Sequence, residues 1–336
     1  MSLESRPISE PLSQAGPSGL FTDLIGQPLA VALLEAALAK DRLAPAYLFT
    51  GPDGVGRSLA AIRFLEGMLT AGEPSLRERR RLEAFNHPDL LWVEPTYQHQ
   101  GRLVPISEAE SEGVSRRTPP QIRLEQIRGL TRFLGRQPVE ARRGMVVIEA
   151  VEAMAEAAAN ALLKTLEEPG HGLLILLSAA PERLLATIHS RCQQICFSRL
   201  DEEAMQAVLT QERVAEIWAS LRQLDRPDLH ALSAGSPGAL LHHLKAYLEI
   251  PDPLWPRLEQ LPTQPMEALA LARDLTEALN GEQQLWLINW WQHHLWRQQV
   301  DAKPLKRLER LRSHLGSFVQ PRLAWEVALL EMIPAA

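Results

Sequence analysis

The sequence predicts an α/β domain with a parallel sheet, followed by an all-helical C-terminal half. From residue 21 to about residue 200, short apolar runs bounded by turn residues alternate with helical stretches, which is typical of βαβ units. A glycine-rich stretch at 51–58 stands between the first apolar run and a helical stretch, as phosphate-binding loops do. After about residue 200 the apolar residues recur at helical spacing, and we find no convincing strand.

The predicted strands of the α/β domain are short, apolar and bounded by turn residues. They cover residues 46–50 (AYLFT), 90–94 (LLWVE), 145–148 (MVVI), 173–178 (LLILLS) and 194–197 (QICF). Between the third and fourth runs, residues 151–166 consist mainly of strong helix formers. They predict one helix that ends before Pro169.

The C-terminal half is predicted to contain two groups of helices. The predicted helices cover residues 201–219, 266–279, 283–299 and 305–315. A proline-rich break at 251–256 (PDPLWP) separates the groups. We therefore expect a polar, disordered leader at 1–20, an α/β domain at 21–200, a small helical domain at 201–250 and a helical bundle at 251–336.

Composition limits the class of protein. The chain has 336 residues, of which 46% are hydrophobic and 23% charged, as in ordinary globular proteins. It carries a net charge of −6, so any contact with nucleic acid should be local. No apolar run is long enough for a membrane span, and the only cysteines are Cys192 and Cys196, too few for a disulfide framework or a structural zinc site. A reduced, cytoplasmic protein without bound metal is expected.

The stretch GPDGVGRS at 51–58 differs by one residue from the phosphate-loop pattern G-x-x-x-x-G-K-[ST]. Gly51, Gly54 and Gly56 allow the backbone N–H groups to turn inward, and the following helix N-terminus adds positive potential. Arg57 stands where the lysine should be, and its planar guanidinium does not replace a compact ammonium. Ser58 keeps the hydroxyl that could reach Mg²⁺. These five residues predict a degenerate cofactor-binding loop.

The acidic pair that nucleotide hydrolysis requires is also incomplete. After the strand at 145–148 stand Glu149 and Ala150, and alanine cannot activate water. Two interpretations of the loop remain open: a tight strand-to-helix turn only, or a site that binds ATP or ADP without hydrolysis. No cofactor is required by either interpretation, and hydrolysis is disfavoured.

Four segments carry a resemblance to a known family. They are residues 21–27 (FTDLIGQ), the loop with the LA that follows it, 155–169 (AEAAANALLKTLEEP) and 188–192 (IHSRC). Over about residues 21–245 the chain resembles the delta-prime family of bacterial DNA polymerase III clamp loaders, in the AAA+ superfamily. The resemblance implies an AAA+ domain with a P-loop NTPase-like fold at 21–200, a helical lid at 201–250 and a helical collar for oligomerisation at 251–336.

The resemblance implies a role for Arg191 of the SRC segment. In clamp loaders this arginine faces the nucleotide of a neighbouring subunit, and an arginine finger supplied in trans stabilises charge that develops on the transferring phosphoryl group. The alternative interpretation is that Arg191 forms an ordinary salt bridge on the protein surface. Two further motor positions are lost: Gly238 or Ala239 stands where active relatives carry a sensor arginine, and Ser178-Ala179 offers only weak polar contact.

The resemblance therefore implies a stationary delta-prime subunit without ATPase activity of its own, within the polymerase holoenzyme. Its implied partners are gamma/tau motor subunits and a delta subunit in a hetero-pentamer, with the sliding clamp and primed DNA reached through the complex. The alternatives are an active gamma/tau-like motor, or an AAA+-fold interaction protein outside replication.

Two other stretches, at 77–81 and 285–296, can each be interpreted in two ways. The basic run at 77–81 (RERRR) fits a solvated helical face, or a contact with DNA phosphates or a partner. The segment 285–296 contains four tryptophans, which fit either the core or a subunit interface.

Overall fold

The structure is a computed structural model. It describes residues 19–109, 111–114, 119–168, 170–211, 218–219, 226–260, 262–298, 302–317 and 319–333. Residues 1–18 of the predicted leader, and residues 212–217 of the helix predicted at 201–219, lie outside the described residues.

A five-stranded sheet forms the centre of the α/β part. Its strands are β1 (Ala46–Thr50), β2 (Leu90–Val93), β5 (Met145–Ile148), β6 (Leu173–Ser178) and β7 (Gln193–Cys196). They lie in the order β2-β5-β6-β1-β7, and every pairing is parallel. The prediction of a parallel α/β sheet is confirmed, with strand ends one residue from those expected at β2 and β7.

Both faces of the central strands β1, β5 and β6 are buried, which explains their unbroken apolar runs. Tyr47 and Phe49 belong to a core that extends under the helices of one face and into the C-terminal half. Leu48, Val146 and Ile148 belong to a second core on the opposite face. The helices around the sheet are α1 (Pro28–Ala39), α2 (Arg57–Leu69), α3 (Leu76–Glu83), α4 (Leu124–Leu134), α5 (Glu156–Glu167) and α6 (Ala186–His189).

The helix predicted from residue 151 begins five residues later. A short 3-10 turn covers Val151–Ala153, and α5 starts only at Glu156. Ala150 has a left-handed backbone with φ 45°, and Ala155 is extended. The extended backbone is held because Ile122 donates to Ala153 O and Ala155 donates to Ile122 O, each at 3.0 Å. Tertiary hydrogen bonds thus override helix propensity there.

A second sheet was not predicted. Between the strands predicted at 90–94 and 145–148 lies an antiparallel hairpin of β3 (Thr96–His99) and β4 (Arg102–Pro105). Its two-residue turn has positive φ at Gln100 and Gly101, as hairpin turns require. The hairpin reaches the C-terminal half, where the Tyr97 hydroxyl lies 3.2 Å from Glu282 Oε1.

After the sheet the described chain is helical. The middle helices are α7 (Glu202–Leu209), α8 (Pro227–Ser233) and α9 (Pro237–Glu249). The C-terminal helices are α10 (Trp255–Leu258), α11 (Pro265–Ala278), α12 (Gly281–Arg297), α13 (Ala302–Leu315) and α14 (Pro321–Met332). No helix among the described residues is long and apolar enough to cross a membrane.

One arginine joins the two helical groups. The Arg226 guanidinium lies 4.5 Å from the Tyr247 ring centroid and 5.8 Å from that of Trp290. Asp228 binds both Arg226 and, at 2.7 Å, the Trp290 indole N–H. Burial raises the pKa of Asp228, but the hydrogen bonds from Arg226 and Trp290 outweigh it and leave the pKa below its ordinary value. Cation–π contact and a shared carboxylate therefore tie α8 and α9 to α12.

Most of the tryptophan-rich segment belongs to the core of this chain. Trp286, Trp290 and Trp291 are buried, and only Trp296 is largely exposed, at 66%. The core interpretation therefore holds for three of the four tryptophans.

Candidate functional site

The glycine-rich loop lies at the carboxyl end of β1, between β6 and β7 in the sheet. Ligands of open α/β sheets bind at this edge of the strands. Gly56 has φ 105° and precedes the first residue of α2, Arg57. Gly51 has φ 148°, and a Cβ there would lie 2.3 Å from the Phe197 carbonyl O. Both positions therefore require glycine, and the loop has the strand-to-helix form that the sequence predicts.

A buried glutamine holds the loop from outside. Gln27 Nε2 donates to Val55 O at 3.2 Å and to Ser198 O at 2.7 Å. Its Oε1 accepts from Ser198 N at 3.0 Å. The side chain is 3% exposed. The segment FTDLIGQ therefore ends in a residue that joins the loop to the end of β7.

Arg57 does not project freely into solvent. It is 9% exposed and forms an ion pair with Asp53 of the same loop. Its Nη1 is buried and has no hydrogen-bond partner among the described residues. An unpaired buried guanidinium nitrogen is costly. One nitrogen of this guanidinium therefore has no acceptor among the described residues, although the other is paired with Asp53.

Ser58 and Glu149 are adjacent, as the two halves of a Mg²⁺ site should be. Ser58 Oγ donates to Glu149 Oε1 at 3.1 Å. Burial raises the pKa of Glu149 above its ordinary value, and the hydrogen bond from Ser58 opposes this. Ala150 follows with no acid–base group. The site thus keeps a metal-binding pair of residue types but not a base for water activation.

These residues line one cavity of about 310 Å³. Its walls contain Asp53, Gly54, Gly56, Arg57, Ser58, Leu59, Glu149, Ala150 and Leu177. A larger cavity of about 480 Å³ lies elsewhere, between α4 and the edge strand β2, and contains none of the predicted site residues. The chemistry predicted from the sequence therefore belongs to the smaller cavity.

The start of α9 lies directly on the loop. Gly238 N donates to Gly54 O at 3.0 Å, and Ser236 Oγ donates to Asp53 O at 2.6 Å. A Cβ on Gly238 would be 2.6 Å from Gly54 Cα. At this position an arginine could not take the place of the glycine without moving one backbone away from the other. The predicted loss of a sensor arginine thus coincides with a close contact between two backbones.

The second lost motor position, Ser178-Ala179, contains a buried hydroxyl. Ser178 is fully buried, and its Oγ has no partner among the described residues. Ala179 N donates to Glu152 Oε1 at 3.0 Å. Glu152 is a residue that the sequence did not single out, and its proximity to Ala179 depends on the turn after β5.

Arg191 does not line this cavity. It follows α6, and its side chain is 33% exposed. Nη2 donates to Glu167 Oε1 at 2.6 Å, and Nη1 donates to Thr187 O at 3.1 Å. The next residue, Cys192, is largely buried, which raises the pKa of its thiol to about 12 and makes it a poor nucleophile.

The basic run at 77–81 is mostly paired within the chain. Arg79 forms an ion pair with the fully buried Glu66 at 2.9 Å, and Arg81 forms one with Glu140 at 2.8 Å. Arg63 of α2, 1% exposed, binds Asp23 at 2.6 Å and Glu83 of α3 at 2.8 Å. Only part of the run is therefore a solvated face, because these ion pairs hold α3 on α2. The described residues contain no group of three His, Cys, Asp or Glu side chains placed to hold a metal ion.

Comparison with known families supplies the identity of the α/β part. Residues 26–201 match the family model "DNA polymerase III, delta subunit". The chain belongs to this family. Residues 203–332 match a second model, "Cyanobacterial DNA polymerase III delta prime, C-terminal domain".

Curated relatives agree with this membership of the delta-subunit family. The chain is 33% identical over 201 residues to DNA polymerase III subunit delta' of Bacillus subtilis, covering 58% of this chain and 54% of the relative. It is 34% identical over 209 residues to subunit delta' of Pseudomonas aeruginosa, with the same coverage. The chain thus spans about half the length of these relatives. Tau and tau/gamma subunits also match, at 29% and 31% identity.

A solved structure supports the fold over most of this delta-family chain. A DNA polymerase III gamma subunit-related protein from Thermotoga maritima superposes with a TM-score of 0.53 at 18% identity, covering 89% of this chain and 96% of that one. The degenerate loop, Glu149 and Arg191 all lie within the segment that matches the delta-subunit family.

Proposed function

We propose that this chain is the delta-prime stator of a DNA polymerase III clamp loader, and that it supplies Arg191 as a finger to a neighbouring ATPase subunit. Its partners are gamma/tau motor subunits and a delta subunit in a hetero-pentamer, which loads the sliding clamp onto primed DNA. Residues 201–250 act as the lid, and residues 251–336 as the collar. Membership of the delta-subunit family and the similarity to delta' relatives support this proposal.

The observation that carries the proposal is the separation of Arg191 from the cavity of its own chain. The cavity lacks a base at Ala150, and Gly238 of α9, which contacts the loop at Gly54, offers no sensor arginine. Arg191 stands outside it with a partly exposed guanidinium. An arginine that cannot serve its own damaged site can still stabilise transition-state charge in a neighbour. A gamma/tau-like motor would need the phosphate-loop lysine, a base after Glu149 and a sensor arginine, and this chain has Arg57, Ala150 and Gly238 or Ala239 there instead.

An exposed apolar stripe supports the collar role. Leu323, Val327 and Leu330 follow one another at helical spacing on α14 and are 52%, 44% and 37% exposed. Monomeric proteins rarely leave a contiguous apolar face uncovered, so this stripe fits a contact with a neighbouring subunit.

The test is the DNA- and clamp-stimulated ATPase rate of a reconstituted loader that contains either the unchanged chain or Arg191→Ala. We expect a fall of about 10³-fold or more with the assembly intact by gel filtration. Arg183→Ala is the matched control, since Arg183 is an exposed arginine on the same stretch before α6. An unchanged rate with Arg191→Ala would contradict the proposal and leave a scaffold, or a protein outside replication.

A second candidate property is retention of ATP or ADP without hydrolysis, and the buried Arg57 Nη1 favours it. A phosphate oxygen would give this nitrogen the acceptor that it lacks, beside the backbone of Gly54 and Gly56. Ser58 and Glu149 would hold the accompanying Mg²⁺. Titration calorimetry with ADP and with a slowly hydrolysed ATP analogue tests this: binding should be detected and should be lost in Arg57→Ala. Absence of heat from the unchanged chain would leave the loop as a structural turn.

A further inference from the structure

The backbone turn that carries Arg191 is held by hydrogen bonds and by burial of its neighbours. His189 Nε2 lies 2.8 Å from Pro181 O, and Ile188 is 1% exposed. The backbone of Arg191 donates to Ile188 O at 3.1 Å. Hydrogen bonds and burial therefore fix the turn between α6 and β7, and the remaining freedom of Arg191 is that of its own side chain.

Glu167 removes much of that freedom. It is the last residue of α5, and its carboxylate is half exposed, so nothing in the core requires it to face Arg191. The 2.6 Å contact with Nη2 combines with the Thr187 O contact to Nη1. Two acceptors from two different elements then hold one planar group, which fixes its orientation more firmly than either could alone.

The pairing with Glu167 leaves some N–H donors of the Arg191 guanidinium without an acceptor among the described residues. A guanidinium has five N–H donors. In Arg191, Nη2 donates to Glu167 Oε1, and Nη1 donates to Thr187 O and, at 3.5 Å, to Ser190 Oγ. Among the described residues no acceptor is paired with Nε–H or with the second Nη2 hydrogen. A phosphate oxygen could therefore bind Arg191 while Glu167 remains in place.

We propose that Glu167 is a positioning residue for Arg191: it holds the guanidinium in the orientation in which it meets the nucleotide of the neighbouring subunit. This inference rests on the proposed function and adds to it a residue on α5. The carboxylate acts through Arg191 and does not itself contact the nucleotide.

The experiment measures the stimulated ATPase of the reconstituted loader with Glu167→Ala, Glu167→Gln and the matched control Glu168→Ala. Glu168 is the next residue and is also exposed, and the hydrogen bonds of Arg191 to described residues go to Glu167, Thr187 and Ser190 instead. We expect Glu167→Ala to lower kcat about fivefold with KM unchanged, because an exposed ion pair contributes modestly. Glu167→Gln keeps an oxygen acceptor and should recover more than half of the loss. Glu168→Ala should have no effect.

A double variant separates this inference from the proposed function. In an Arg191→Ala loader, Glu167→Ala should cause no further loss, because there is no guanidinium to position. An equal loss in both backgrounds would show that Glu167 acts independently and would overturn the inference alone. A rise in kcat with Glu167→Ala would also overturn it, since it would mean that the carboxylate competes with the phosphate. If Arg191→Ala itself leaves the rate unchanged, the proposed function fails and the inference with it.

Discussion

The Gly238 amide donates to the Gly54 carbonyl at 3.0 Å, so the first turn of α9 rests on the phosphate-type loop without an intervening side chain. A Cβ at Gly238 would meet Gly54 Cα at 2.6 Å and Gly54 O at 3.2 Å. Because both obstacles are backbone atoms, neither can rotate away. We expect Gly238→Ala to lower the free energy of unfolding by about 1–3 kcal/mol, measured by urea denaturation.

Gly129 of α4 provides the matched control for this prediction. A Cβ there would meet nothing within 4 Å. Gly129→Ala should therefore stabilise the chain by roughly 0.5–1 kcal/mol, because glycine inside a helix is destabilising. If Gly238→Ala were as stable as the unchanged protein, the close contact between the loop and α9 would be wrong.

Arg57→Lys restores the phosphate-loop pattern without restoring hydrolysis. Lysine supplies the compact ammonium that Arg57 lacks, but Ala150 still provides no base for water. Phosphate release by the isolated variant should stay at the level of the unchanged chain. Turnover clearly above that level would contradict the assignment of Ala150 as the missing catalytic group.

His243 should make stability depend on pH at the junction of α9 and α12. Its Nδ1 accepts from Trp286 Nε1 at 3.0 Å, and burial lowers its pKa from 6.5 to about 4, with His242 and His293 adding to the effect. The folded state disfavours the protonated form of His243. Its contribution to the free energy of unfolding is therefore complete above pH 6.5 and is lost as the pH falls from 6.5 towards 4.

The variant His243→Asn keeps an acceptor for the Trp286 N–H and removes the titration. Thermal unfolding across pH 4 to 7.5 should therefore show a flatter profile below pH 6.5 than that of the unchanged chain. His171→Asn, a change at an exposed position before β6, is the control and should keep the original slope. Identical profiles for all three proteins would mean that His243 is not held in its neutral form.

The apolar stripe on α14 should be needed for assembly and not for folding. Because Leu323 and Val327 are 52% and 44% exposed, replacing both by lysine removes little packing within the chain. We expect an unchanged melting temperature and loss of co-elution with the gamma/tau and delta subunits. Val139→Lys, at a position 77% exposed on the α/β part, should leave co-elution intact. Normal co-elution of the double variant would place the subunit contact elsewhere.

The sequence predicts the central strands well because β1, β5 and β6 are buried on both faces and so read as unbroken apolar runs. The loop at 51–58 was also recognisable, since its glycines meet backbone requirements that few residue types satisfy. The start of α5 was missed because hydrogen bonds from Ile122, thirty-odd residues away, hold residues 153 and 155 out of the helix. Local propensity contains no information about such a partner.

Several features of the site depend on contacts between distant segments. The pairing of Arg191 with Glu167 and the approach of Gly238 to Gly54 join residues far apart in the chain. The turn of the hairpin at 96–105 is Gln-Gly, which indicates a hairpin less strongly than Asn-Gly or Asp-Gly would. The ion pair of Arg79 with the buried Glu66 departs from the solvated face considered for the run at 77–81, because the sequence alone does not show that α3 packs on α2.

The aromatic surroundings of Arg226 have a practical consequence for dissecting this protein. By sequence, the prolines of 251–256 look like a suitable place to divide the chain into separate fragments. The guanidinium, however, belongs to the segment before that break, whereas two of the rings beside it do not: Trp255 lies within the break and Trp290 after it. A fragment ending at residue 250 would expose a charged residue and the face of Tyr247 to water, and the complementary fragment would expose two indoles. The two helical groups are therefore best expressed, crystallised and melted as one piece.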